Sequence, residues 1–136
     1  ALAQGVAMSE RHSNCSTCSA LLLPAAISLH IAQGDLTEAA RFCQQLNQVA
    51  AKYASQLWLA MAQQAYGELA VAQGELENAL HAYTWAMKWF RLSGNEYGTA
   101  RCLSALASIH LARNAMEDAR EAREGAQQIF ERLKLS

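Results

Sequence analysis

The sequence predicts an all-α chain, a superhelical array of about three and a half antiparallel helix hairpins, and three observations carry that prediction. The composition is rich in alanine, with one proline and seven glycines in 136 residues. This favours helix and leaves few of the Gly- and Pro-rich turns that a β-sandwich or barrel needs. Apolar residues recur at i, i+3 and i+4. Finally, three segments align without gaps at a spacing of 40: Ala32-Gln33-Gly34-Asp35-Leu36, Ala72-Gln73-Gly74-Glu75-Leu76 and Ala112-Arg113-Asn114-Ala115-Met116. The register extends outwards through Leu29, Leu69 and Ile109, and through Val49, Trp89 and Ile129.

Seven helices follow, at 1–11, 16–33, 35–53, 55–73, 75–93, 95–113 and 115–134. The first comes from alignment of residues 1–13 with 41–53, which makes Leu2–Arg11 the second helix of a hairpin whose first half is missing. The second contains Pro24, which either kinks it or moves its start to about Leu23. Asp35 with Glu38 opens the third at capping-box spacing. The fourth is apolar at Leu57, Ala60, Met61, Ala65, Leu69 and Ala72, and Gly74 then offers a residue tolerant of positive φ past its end. The fifth repeats the period at Leu76, Ala79, Leu80, Tyr83, Ala86, Met87 and Phe90. Ser93 with Glu96, or Asn95 as the alternative cap, starts the sixth, and Asn114 with Glu117 the seventh. On the last helix Glu117, Asp118, Glu121 and Glu124 alternate with Arg120 and Arg123, as on a solvated face. Residues 1–136 thus form a single domain of units 14–53, 54–93 and 94–136 after the orphan helix 1–13. The fractional unit and the missing initial Met are expected of a piece cut from a larger protein.

Gly67, Ala70, Gly74, Ala79, Tyr83 and Ala86 have the offsets of the tetratricopeptide signature, and the middle unit resembles that repeat family. Ala70 departs from it, since an aromatic is usual there. Small residues at Gly67, Ala79 and Ala86 permit close helix approach, Tyr83 fills the space between hairpins, and Ala39 and Ala119 repeat the central alanine. Ile27 and Ala107 stand where Gly67 does, so the outer units are more degenerate. The period of 40 exceeds the usual 34 and implies lengthened helices. The resemblance implies that the first helix of each hairpin lines a concave binding face. Carried over by register, that face comprises Leu21, Pro24, Ser28 and Ile31; Met61, Gln64, Glu68 and Val71 with Trp58; and Arg101, Ser104, Ser108 and Leu111 with Tyr97. It lacks the Lys/Asn/Arg-rich clamp used for C-terminal tails and suits an amphipathic helix, a segment or a neighbouring domain. Trp58 and Met61 also read as packing residues between hairpins.

Cys15-x-x-Cys18, Leu22-x-Pro24-Ala25, Gly34-Asp35, Ser55-Gln56-Leu57-Trp58, Glu96-Tyr97, Ala100-Arg101 and Phe130-Glu131-Arg132-Leu133 are similar to the helical repeat regions of large bacterial signalling regulators, including LuxR-type regulators with an NTPase module. With the repeat register and the apolar groove, the expected function is a cytoplasmic protein- or peptide-binding scaffold inside such a regulator. The alternatives are a ligand-sensing domain that closes on a small molecule or short peptide, and an architectural module that self-associates as a homodimer through its truncated N-terminal end. The chain has no P-loop or helix-turn-helix of its own, so neither nucleotide nor DNA binding carries over.

Eleven basic and twelve acidic residues give a net charge of -1, with no basic stripe for nucleic acid. No apolar run approaches the roughly 20 residues of a membrane span. Four cysteines are too few for a disulfide scaffold, and reduced thiols are expected. His12, Cys15 and Cys18 have metal-ligand spacing but lack a fourth ligand: His30 stands about 18 Å further along the helix, while Cys43 and Cys102 lie elsewhere. No metal and no cofactor are expected, and a disulfide between Cys15 and Cys18 stays open. No catalytic motif occurs, so the chain is not expected to be an enzyme. His81 and His110 are isolated, and Trp85 reads as partly exposed beside the core position Ala86.

Overall fold

The computed structural model describes residues 16–53 and 55–135, with side chains from 22 to 134 except 54. Six helices make up the described chain: α1 (Ser16–Ala32), α2 (Leu36–Tyr53), α3 (Gln56–Ala72), α4 (Leu76–Leu92), α5 (Glu96–Ala112) and α6 (Met116–Leu135). There is no strand among the described residues. None of these helices is long and apolar enough to cross a membrane. The expected helix 1–11 lies outside the described residues. α1 runs through Pro24 without interruption, so the helix does not restart at Leu23.

The boundaries follow from one repeated piece of turn chemistry. After α3, Gly74 has φ +77°, a conformation that costs glycine nothing. Its N–H donates to Val71 C=O at 3.0 Å, and the next N–H, of Glu75, donates to Ala70 C=O at 2.9 Å. This is the Schellman arrangement that satisfies the last helical carbonyls. The same pair of bonds closes α1 at Gly34 and Asp35, α4 at Gly94 and Asn95, and α5 at Asn114 and Ala115. Asn114, at φ +62°, takes the left-handed position usually given to glycine. It is therefore the turn residue and not the cap of α6; the carbonyl of Ala115 accepts the first bond of that helix, from Ala119 N–H at 3.0 Å. In each turn one residue both ends a helix and starts the next, which is why three residues suffice as a connection. Of the alternative caps for α5, Asn95 is the one used: its side chain accepts from Gly98 N–H at 2.8 Å, while Ser93 Oγ donates back to Phe90 C=O. Asp35 caps α2 through Glu38 N–H at 3.3 Å.

Every helix packs on its successor, and α1 also packs on α3. The two kinds of helix carry different surfaces for that reason. Apolar residues are spread around α1, α3 and α5, which meet neighbours on several sides. They are gathered on one face of α2, α4 and α6, whose other face is charged and wet. On that wet face of α6, Arg120 pairs with Glu117 and Glu124. Two buried clusters result. One joins Leu23, Ile27, Phe42 and Leu46 to Ala62 and Leu69 of α3. The other joins Ala60 and Ala70 of α3 to Tyr83, Phe90, Cys102 and Ile109. α3 thus contributes to both cores. The small residues mark the close approaches: Ala39, Ala79 and Ala86 are fully buried and Ala119 nearly so. A Cβ on Gly67 would stand 2.8 Å from the Tyr83 ring, so the aromatic lies directly against the α3 backbone.

Candidate functional site

Among the described residues, two clefts lie on the face to which α1, α3 and α5 contribute. The larger, of about 450 Å³, opens between the C-terminal halves of α3 and α5, with Tyr83 and Leu76 of α4 as its floor and Ile31 of α1 at its edge. Its walls are apolar apart from Glu68, Ser108 and the Tyr83 hydroxyl. The smaller, of about 170 Å³, lies at the N-terminal ends of α3 and α5, between Leu57, Met61, Gln64, Tyr97 and Arg101.

The register positions expected on this face divide between them. Glu68, Val71, Ser108 and Ile31 line the larger cleft. Ser28 reaches it by donating from Oγ to Glu68 Oε2 at 3.1 Å, a bond between residues 40 apart. Met61, Gln64, Tyr97 and Arg101 meet in the smaller cleft. Tyr97 is held edge-on to Phe130, with ring centroids 6.1 Å apart, and the Arg101 guanidinium stands 5.9 Å from the Tyr97 ring centre. Ser104 is exposed and accepts at its carbonyl from Ser108 Oγ at 3.4 Å. Leu111 is exposed, and Pro24 half-buried. Trp58 is half-buried and packs against the first core cluster, as Met61 does against the second. Leu21 and Cys18 lie on α1 with side chains outside the described residues, and His12 and Cys15 lie outside them altogether.

Tyr83 was expected only as a filler between hairpins, and it also lines the cleft. The Cδ2–Cε2 side of its ring meets Gly67, and the same residue borders the cleft. Leu76, Ala105, Ile109 and Ala112 are further lining residues that the register does not place on the binding face. Which of them meet depends on how far α3 and α5 diverge, and that is a matter of packed volumes.

Three groups behind this face, Cys43, Cys102 and Tyr83, hold their protons well above the ordinary range. Burial, with the Glu68 carboxylate adding to it, pushes the Cys43 thiol up to about 11. Burial pushes Cys102 up to about 12, against the opposing pull of Arg101. Burial and then Glu68 raise Tyr83 to about 12. Neither thiol is an activated nucleophile. The described residues contain no group of three or more His, Cys, Asp or Glu placed to hold a metal. His30 Nδ1 and His110 Nδ1 are buried without a hydrogen-bond partner. His30 stacks on Phe42 at 5.4 Å, its Nδ1 lying 3.9 Å from Asp35 Oδ2.

A pH effect follows. The unfolded thiols lose their protons near their ordinary value, while the folded ones hold theirs to about 11 and 12. Between about pH 9 and 12 the unfolded chain therefore binds fewer protons, and stability falls as pH rises. In a chain with Cys15→Ser and Cys18→Ser, the urea midpoint is expected to drop steadily above pH 9. Cys43 and Cys102 are expected to resist thiol reagents at pH 8 until urea unfolds the chain. Rapid native labelling would contradict their burial.

Comparison of the chain with family models, curated proteins and solved structures finds no match.

Proposed function

We propose that the helices form a superhelical array of tetratricopeptide-like hairpins serving as a docking module in a larger bacterial, cytoplasmic regulator. The partner is a helix, an extended segment or a neighbouring domain, laid on the face of α1, α3 and α5. The observation that carries this reading is the recurrence of register positions on one face. Ser28, Glu68 and Ser108 stand 40 apart in sequence, and all three meet at the larger cleft. Met61 and Arg101, likewise 40 apart, meet at the smaller one. A surface built by translating the same positions from hairpin to hairpin forms a continuous track, the geometry that repeat arrays use for elongated partners. Its mixed character, with Arg101 at the smaller cleft and Glu68 at the larger among apolar residues, sets both orientation and register for such a partner.

Photo-crosslinking in the source cell tests this reading. A benzophenone side chain at Ser104, on the track, is expected to capture a discrete partner segment. The same group at His81, exposed on α4, is expected to capture none. Arg101→Glu is expected to weaken the captured partner's binding about tenfold while leaving the melting curve unchanged. Capture from His81 alone, or affinity indifferent to Arg101→Glu, would reject the docking face.

A further inference from the structure

The larger cleft carries more chemistry than a docking track needs. Its volume of about 450 Å³ lies in the range of pockets that enclose small molecules. Its walls are Ile31, Val71, Leu76, Ala105 and Ile109, with Ala72 and Ala112 leaving the room. Apart from the Tyr83 hydroxyl, the polar groups have their hydrogens spent or have none. Ser28 donates its hydroxyl hydrogen to Glu68, and Ser108 donates its own to the Ser104 carbonyl. Glu68 is the one charged residue of the lining, and an ionised carboxylate only accepts. Tyr83 is 8% exposed and lines the cleft. Its hydroxyl makes no hydrogen bond among the described residues, so its lone pairs are open and its hydrogen can turn aside. A site of this kind offers acceptors around one negative charge, with the Tyr83 O–H as the one open side-chain donor, on an apolar wall. It repels anions, leaves a neutral hydrocarbon with unmet acceptors, and matches a cationic donor attached to an apolar body.

We propose that the larger cleft is a binding site for a small lipophilic amine in its protonated form, with Glu68 as counter-ion, Tyr83 and Ser108 as further acceptors, and the α3–α5 walls around the apolar body. The ammonium meets Glu68 at the oxygen that Ser28 does not occupy. The alkyl or aryl part lies towards Ile109 and Leu76. This goes beyond the docking reading, since the cleft would bind such a ligand whether or not a segment lies along the face.

Calorimetric titration of the full chain at pH 7 with octylammonium, octanol and octanoate tests the assignment, with amide chemical shifts locating the site. Octylammonium is expected to saturate one site and to move the resonances of Val71, Ser108 and Ala112. Octanoate is expected to bind at least about tenfold more weakly. Glu68→Gln keeps the shape of the side chain and removes its charge. It is expected to cost octylammonium about tenfold in affinity and to leave octanol unchanged. Tyr83→Phe, which retains the ring over Gly67, is expected to cost less; a melting curve for each variant shows that the fold survives. Equal binding of octanoate, or octylammonium affinity unchanged by Glu68→Gln, would overturn the proposal. So would saturation by the peptide acetyl-Leu-Lys-Leu-amide with no binding of octylammonium, which would give the cleft to a lysine of a protein partner. None of these failures touches the crosslink from Ser104, which lies outside the cleft lining and answers separately for docking.

Discussion

Gly98→Val is expected to cost about 3 kcal/mol of stability, a fall in Tm on the order of 10 °C for a chain of this size. Gly98 lies in the first turn of α5, where a Cβ would stand 2.5 Å from Phe90 Cδ1 and 2.7 Å from its Cγ and Cε1. Real carbon contacts do not approach so closely, so something must move. Phe90 is 3% exposed and belongs to the second core cluster, which leaves the ring nowhere to go. The alternative is for the start of α5 to withdraw. That would break the bond from Gly98 N–H to Asn95 Oδ1 that caps the helix. Gly98→Ala makes the sharper comparison. Alanine gains about 1 kcal/mol of helix propensity over glycine, so the steric term must exceed that for any loss to appear. A net loss is expected, with partial recovery when Phe90→Leu removes the ring. Thermal melts of the three variants and the parent measure it. An alanine variant as stable as the parent would show that α5 can retreat freely.

The helical class and most helix boundaries were legible in the sequence because those boundaries rest on local chemistry that recurs. The segment around Gly34, Gly74 and Asn114 announces the turn inside each hairpin, and the observed helices begin at Leu36, Leu76 and Met116 in step with it. The misreading of Asn114 as a cap has the same origin. Asparagine serves both as a helix cap and as a left-handed residue, and only the backbone bonds to His110 and Leu111 carbonyls distinguish the two roles. The site was legible in part. The register placed Ser28, Glu68 and Ser108 at equivalent positions, which is a property of spacing. That they meet at a cleft of defined volume depends on Tyr83 reaching between α3 and α5, and on Ala72 and Ala112 being small. Those are relations between helices distant in sequence, with no local signature.

Gly67→Ile is expected to destabilise the chain by about 3 kcal/mol on its own, and to be largely rescued by Tyr83→Cys. A Cβ at Gly67 already falls 2.8 Å from both Cδ2 and Cε2 of Tyr83, and a β-branched chain adds atoms where the aromatic ring lies. The first hairpin holds the same two register positions with the volumes exchanged. Ile27 stands in place of Gly67 and Cys43 in place of Tyr83, and both are buried in one cluster. A large residue on the first helix goes with a small one on the second, and a glycine on the first with an aromatic on the second. The pair, and not either residue, sets the distance between helices. The third hairpin departs consistently: Ala107 faces a register partner, Arg123, that is exposed, so no large side chain enters there. Transferring the Ile–Cys pair into the middle hairpin should therefore yield a coupling of about 2 kcal/mol or more in a double-mutant cycle read from urea unfolding. Tyr83→Cys alone leaves a hole over Gly67 and is expected to be destabilising as well, so the rescue would be of two harmful changes by one another. Additive losses would mean that the first and middle hairpins close by different geometries, and the shared register of 40 would then have no common packing behind it. The rescued chain also separates fold from site. With the Tyr83 ring and hydroxyl gone, the floor of the larger cleft is lost, and octylammonium binding should fail in a molecule whose stability has returned.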